Sequence, residues 1–473
     1  MSTRSLFDAV IEPGFRNPNF FEGRLLTAGD LRDDQKAHRE RQRLLGRALG
    51  TGVVEGLGVT LEPTITDGVK KTITIAAGYA INGEGELLWL KNDITAAVVP
   101  QTVVPEPPAA LFARCEDTAT PTPTIPVGVG LYVLVMSPAS GYRERAAKSG
   151  LGSEGKIIGC GDRYAVDGVR FRLEPLPPAL ISGASSAQQV ELVALLNATS
   201  DGSKRSLLRN LIAHLCFGTP QLTQFPVDPF ARADGASAYL AYGALDDLRT
   251  LGRLTDCDVP LALLLWDTSG IAFLDLWAVR RRPVPPPRSQ DWPLLVGERV
   301  LAGGEARLLQ FQAQLRDLTA EAVNRAGWRV ESYFRFLPAA GVITSGGPGG
   351  LAPADFFANC VTRFPRPPEH LINAGPVFAD GARLAHLLAD SLTYPAIDLS
   401  ADAAASGGVS RRLIWLYRIQ ENQRDIDSTL LDPERACYVF AHGQMPFVGT
   451  PRFDVARWDY ANYTSRLTGP GGL

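Results

Sequence analysis

The stretch from Phe20 to Val59 constrains this chain most, because it sets one long charged helix directly before an alternating strand, with Gly50 and Gly52 at the junction. Thr27 followed by Asp30 predicts the helix start, since a hydroxyl and a carboxylate three residues apart can satisfy the free amides of a first turn. The helix is expected to run to about Leu49. Asp30, Asp33 and Asp34 fall in its first turns and Arg43 and Arg47 in its last, an order that suits the helix dipole. Steps of three and four place Arg32, Lys36, Arg39, Arg43 and Arg47 on one face, where each like-charged pair repels by roughly 0.2–0.5 kcal/mol. That row reads either as a solvated face, offset by Glu40 and the aspartates, or as a docking face for a partner.

After the junction, Val53, Leu57, Val59 and Leu61 alternate with polar or small residues, as in a half-buried strand. Thr72–Ile75 and Gly78–Ile81 lead through Asn82-Gly83 into Glu86–Leu90, which predicts a hairpin. Prolines between 100 and 126 exclude helix there, and Gly130–Met136 resumes as a strand. Residues 138–156 read as a polar loop. Tyr164–Glu174 alternates Val169, Phe171 and Leu173 against Arg170, Arg172 and Glu174, the pattern of a half-exposed antiparallel strand.

Helices are predicted over Ala187–Ala198, Ser206–Phe217 and Tyr239–Leu254. Val259–Trp266 and Ile271–Val279 form a second hairpin, whose nearly continuous apolar arms predict burial on both faces. Consecutive prolines at 285–287 mark the clearest internal boundary, read as a semi-rigid linker. Beyond it, Gly304–Ala326 predicts an amphipathic helix with Leu308, Phe311, Leu315, Leu318 and Val323 on one stripe, and Arg412–Ile419 predicts a strand.

The expected fold class is mixed α and β, β-rich and multidomain, with antiparallel β-sandwich-like domains, a long N-terminal helix and helical insertions. The expected division is 1–175 for the helix and a β domain, 176–282 for a helical region ending in an apolar hairpin, 283–288 for the linker, and 289–473 for a mixed domain with an aromatic-rich end. A length of 473 residues with 45% apolar content supports several cores, and 46 glycines with 35 prolines favour short strands and loops.

Two blocks carry a resemblance. The first is FF-x-G-x-LL-x-A-x-D, then His38-Arg39-Glu40-Arg41, then G-x-G-V-V-x-G-L-x-V. The second is Met445-Pro446-Phe447-x-Gly449-Thr450-x-Arg452-Phe453-Asp454, followed by Arg457-Trp458-Asp459-Tyr460-x-Asn462-Tyr463. Both resemble proteins encoded in phage-tail-like contractile injection system clusters, which are baseplate or baseplate-associated components. The resemblance implies a structural role, partners among the particle's baseplate, tube or sheath proteins, homo-oligomerisation within the particle, and a cytoplasmic location as part of the assembled particle. Phe447, Arg452, Phe453, Arg457, Trp458, Tyr460 and Tyr463 join the helix's basic row as candidate interface residues, since aromatics and arginines concentrate at interface anchors.

A net charge of −3 argues against a general nucleic-acid or membrane-surface binder. The N-terminal residues carry no apolar signal region, and no run approaches a membrane span, so direct membrane insertion is not expected. Six cysteines without a C-x-x-C pair predict free thiols in a reducing compartment.

No catalytic residue, cofactor or metal is predicted. Gly150-Leu151-Gly152-Ser153-Glu154-Gly155-Lys156 imitates a phosphate loop, yet Ile157 stands where a magnesium-binding hydroxyl is needed, and the residues after it look extended. Histidines 38, 214, 370, 386 and 442 have no metal-ligand spacing, and Asp425 with Asp427 reads as a solvated pair. The chain is therefore expected not to be an enzyme. The alternative is a hydrolase of cell-wall glycan or peptide, whose carboxylates would meet only in the fold.

Overall fold

The computed structural model describes residues 17–62, 72–98, 129–149, 157–181, 184–219, 243–286, 298–321, 325, 327–344, 351–358, 360, 377–400, 414–419, 437–443 and 445. Helix α1 (Ala28–Leu49) opens with the predicted capping box. Thr27 Oγ1 accepts from the Asp30 amide, and the Asp30 carboxylate accepts from the Thr27 amide at 2.9 Å. Those bonds from Thr27 hold the Asp30 carboxyl below its usual range, with Arg24 adding to the effect. The helix ends at Gly50, whose φ of 93° suits glycine.

Six short strands follow: β1 (Gly52–Gly56), β2 (Val59–Leu61), β3 (Thr72–Ile75), β4 (Gly78–Ile81), β5 (Leu87–Leu90) and β6 (Ile94–Ala97). They form two antiparallel three-stranded sheets, ordered β1-β4-β5 and β2-β3-β6. The Asn82–Glu86 turn between β4 and β5 is the hairpin read from Asn82-Gly83.

The next sheet organises the middle of the molecule. Strands β7 (Gly130–Ser149) and β8 (Ile157–Pro175) pair with the later hairpin β9 (Val259–Asp267) and β10 (Gly270–Asp275) in the order β10-β9-β7-β8. Along β7, Leu131, Val133 and Val135 point into one core and Tyr132, Leu134 and Met136 into the other. Leu263 and Leu265 of β9 join the first core, and Leu261 and Leu264 the second. Burial on both faces explains why these strands are continuous apolar runs. The second core is closed by the small sheets through Val53, Val59, Ile73, Ile75 and Leu88, a sandwich-like packing.

Helices α2 (Ser186–Leu196), α3 (Gly202–Cys216) and α4 (Ala244–Thr250) cover the other face. Helix α2 starts on a Ser185–Gln188 capping box, and α3 on the Asp201 carboxylate. The division expected at residue 175 passes through the four-stranded sheet, whose strands come from both sides of it.

Helix α5 (Glu298–Glu321) begins six residues before the reading that started at Gly304 and lies over the last sheet. There β11 (Phe336–Leu337) pairs with β14 (Ile397–Asp398), and β12 (Ala340–Thr344), β16 (Cys437–His442), β15 (Ile414–Ile419) and β13 (Val377–Ala379) form a second four-stranded sheet. All pairings are antiparallel except that of β13 with β15. Phe311 and Leu315 of α5 meet Leu416 and Phe440 on one face, while Leu384 and Leu387 of α6 (Gly381–Ser391) meet Trp415, Tyr417 and Val439 on the other. The fold is thus mixed α and β, rich in antiparallel sheets.

A buried polar network joins α3, β10 and α5. Arg209 donates to Asp275 at 2.6 Å and to Asp317 at 2.8 Å, and Gln310 donates to Asp275 at 2.9 Å. Gln314 reaches the Ser206 hydroxyl at 2.7 Å, and Asn210 exchanges bonds with the Phe336 backbone at 2.7 and 3.0 Å. Buried charge is tolerated only when paired and hydrogen-bonded, and these groups meet that condition.

Three expectations are corrected here. Residues 138–149 are not loop: β7 runs to Ser149 and pairs with β8 as far as Ile157, well past Met136, where its pairing with β9 stops. This outer ribbon is largely exposed on both faces, so it lacks the alternation by which a strand is recognised. At its root Arg172 grips Asp258 with two bonds of 2.7 and 2.9 Å, and Ser137 adds a third at 2.6 Å. Burial pushes the Asp258 carboxyl up, yet these partners bring it below its usual range; burial beside them raises that of Glu174.

Secondly, the proline-rich segment is not a free spacer where it is described. Val284 bridges Thr51, a β-carbon at Gly50 would collide with the Val284 carbonyl, and Arg282 pairs with Glu298 and Glu305 of α5 at 3.2 and 3.0 Å. Pro287 and Arg288 lie outside the described residues. Thirdly, Cys257 is disulfide-bonded, while Cys160, Cys216 and Cys437 carry free thiols; spacing along a chain does not report which cysteines meet in space. Burial pushes the Cys216 thiol up to about 12.

His214 is fully buried on α3. Its ring stacks on Phe336 at 4.9 Å and its Nδ1 meets the Thr219 hydroxyl at 2.9 Å. Burial, with Arg307 nearby, holds it well below the ordinary histidine value of 6.5. The folded chain thus refuses a proton that the unfolded chain accepts. The stability this represents is complete above 6.5 and is lost as pH falls from there toward the depressed value. Melts from about pH 8 down to about pH 5 should show His214→Phe converging on the parent toward acid. A constant difference across that range would contradict a neutral buried imidazole.

Candidate protein interface on the N-terminal helix

Helix α1 is mounted on its own β domain by the basic row. Arg43, only 7% exposed, donates to Glu40 at 3.1 Å and to Glu86 at 2.5 Å. Arg47 pairs with Glu84, one turn further on. Arg39 reaches Asp167 on β8 at 2.9 Å. Glu84 and Glu86 belong to the β4–β5 turn, so that turn presents two carboxylates to the last two turns of the helix.

Glycines let the backbones touch. A β-carbon at Gly46 would strike the Gly85 carbonyl, and one at Gly85 would strike that of Arg43. Gly85 also has a φ of 81°, which disfavours any side chain. The expected docking face therefore faces the chain itself at Arg39, Arg43 and Arg47. Arg32 and Lys36, nearer the helix start, are exposed.

With Arg39, Arg43 and Arg47 turned inward, the apolar residues point outward. All four leucines of α1 are more than half exposed: Leu31 at 52%, Leu44 at 51%, Leu45 at 68% and Leu49 at 62%. Ahead of the helix, Phe20, Phe21, Leu25 and Leu26 are exposed as well, and on β5 so are Leu87 and Trp89. The segment before the helix is tied back by Arg24 to Asp30 and by Asn17 to Arg41 at 3.3 Å. An ordinary surface helix buries its apolar stripe and solvates its charges. Here the arrangement is inverted, and large exposed apolar patches mark interaction sites.

Sequence reasoning chose a different face because the arginine row is the more conspicuous pattern. The missed signal is the leucine spacing: Leu31 and Leu45 are two heptads apart and Leu49 one turn beyond. At 3.6 residues per turn these three fall within about 40° of one another around the axis and roughly 120–160° from Arg43. The other candidate interface residues, Phe447, Arg452, Phe453, Arg457, Trp458, Tyr460 and Tyr463, lie outside the described residues, as do Gly150–Lys156 and the Asp425/Asp427 pair. Of the same aromatic region, Phe440 is core, in contact with Phe311 and Phe357.

Among the described residues, no group of three or more His, Cys, Asp and Glu side chains is placed to hold a metal ion, and no helix is long and apolar enough to cross a membrane. A scan of protein-family models and a search of curated proteins returned no match to the chain.

Proposed function

We propose that the chain is a structural, non-enzymatic subunit of a phage-tail-like contractile injection particle, in or beside its baseplate, acting by protein–protein assembly with other particle subunits. Its place of action is the cytoplasm, as part of the assembled particle. The observation that carries this reading is the inverted helix. A 22-residue helix held by salt bridges to its own domain, with every leucine facing out, is built to present apolar surface to another chain. The two sequence blocks that resemble injection-system components supply the kind of particle.

The test replaces Leu45 and Leu49 together by glutamate in cells that make the particle. Carboxylates in the middle of a desolvated apolar contact oppose association strongly. The doubly substituted chain should be made in normal amount and be missing from purified particles. Incorporation at the parent level would overturn the reading.

A further inference from the structure

Helix α5 buries an arginine that no carboxylate answers. Arg43 and Arg209, each 7% exposed, are held by two carboxylates apiece. Arg307 is 5% exposed, yet among the described residues no Asp or Glu pairs with it, and the hydrogen bond from its Nη2 to the Tyr394 carbonyl is a long one, 3.5 Å. Its charged neighbour is a second cation. Arg281 donates to the carbonyls of Trp277, Ala278 and Cys216 at 3.0, 3.2 and 3.5 Å and lies over the Phe217 ring, 4.8 Å from its centre. Those contacts satisfy Arg281 and add positive charge to the surroundings of Arg307. Burial, with Arg281 adding to it, pulls the Arg307 guanidinium down to about 10.

There is also room beside this charge. Gly303, one turn before Arg307, is buried, and outside the helix's own backbone a β-carbon there would meet Arg307 Nη1 alone, at 3.7 Å. The missing side chain thus leaves open space next to the guanidinium, inside the protein. At Gly304 there is none: a β-carbon would collide with the Leu392 carbonyl, so the backbone leading to Tyr394 lies directly against the helix. From α3 comes His214, close enough for Arg307 to disfavour its charged form, with an Nε2 that is buried and has no hydrogen-bond partner.

We propose that this space between α3 and α5 binds a small oxyanion, held by the Arg307 guanidinium with His214 Nε2–H as a second donor. A buried guanidinium is strongly unfavourable without a counter-charge, and a bound anion supplies one. The planar fork of N–H groups matches two oxygens of a phosphate or a carboxylate. In its role the neutral imidazole takes the Thr219 hydroxyl, 2.9 Å away, as donor at Nδ1 and keeps its proton on Nε2. Arg281 contributes through its field, its own donors being directed to the backbone.

The experiment uses the purified full chain, dialysed free of oxyanions and titrated with inorganic phosphate and, separately, with acetate, the ionic strength being held constant with sodium chloride. Equilibrium dialysis should show one site per chain for at least one of the two, and the melting temperature should rise as that site fills. Tighter binding of phosphate marks a phosphate ligand, tighter binding of acetate a carboxylate. Arg307→Met exchanges an unpaired buried charge for an apolar side chain of similar length, a change that folds tolerate, and should abolish both the binding and the melting response. Gly303→Ala keeps the arginine, favours the helix and fills the space, so it should weaken binding at least about tenfold. Arg32→Met, at an exposed position on α1, should leave binding as in the parent. A parent chain that binds neither anion saturably, or binding that survives Arg307→Met or is unchanged in Gly303→Ala, would overturn the site.

Discussion

Asp275→Ala should destabilise the fold by roughly 3–5 kcal/mol, because it strands Arg209 without its buried counter-charge. The carboxylate is fully buried and serves three groups at once: Arg209 Nε, Gln310 Nε2 and the Ala278 amide, at 2.6, 2.9 and 2.9 Å. Asp317 also touches Arg209, but from a position 43% exposed, where water screens much of the attraction. Asp275→Asn keeps the acceptor for Ala278 and loses the charge, so it should fall between the parent and alanine. Denaturant melts of the three proteins check the order. A loss for alanine within about 0.5 kcal/mol would show that the network does not hold α3 to α5.

The second large effect concerns the helix mount. Arg43→Glu places a third carboxylate among Glu40 and Glu86, at a site where the arginine is only 7% exposed. Breaking a buried pair costs about 3–5 kcal/mol, and repulsion adds to that. The cost should appear first as release of α1 from the β4–β5 turn, seen as rapid amide exchange across Gly46–Gly50 while the four-stranded sheet stays protected. Reversal at Arg32, which is exposed, should leave exchange unchanged. Equal effects at both positions would contradict the inward orientation of the row.

How far the sequence could be read depended on what each residue faces. The strands of the central sheet were legible because both sides are packed: Leu131 to Met136 alternate between two cores, Leu261 to Leu265 are shared between the same two, and both runs stay apolar throughout. The Thr27 cap was legible because capping is local, its partner Asp30 being three residues away. Residues 138–149 of β7 were not, since a strand exposed on both faces carries no burial pattern.

Neither was the mount of α1. Its charges obey the same spacing whether they face solvent, a partner or the chain's own turn, and what decides is Glu84, Glu86 and Asp167, brought near by folding from distant positions. Local rules place aspartates and arginines along a helix. Only long-range contacts say which side of it is out.

The most direct measurement is therefore the stability of the chain carrying both Leu45→Glu and Leu49→Glu, taken by denaturant melting at a concentration where the parent is monomeric. Side chains that stand in solvent tolerate substitution within about 0.5 kcal/mol. The double variant should melt with the parent to within about 1 kcal/mol, the sum of two such changes. A loss of several kcal/mol would mean that Leu45 and Leu49 pack against the protein's own body, and that α1 presents its arginines, not its leucines, to whatever it meets.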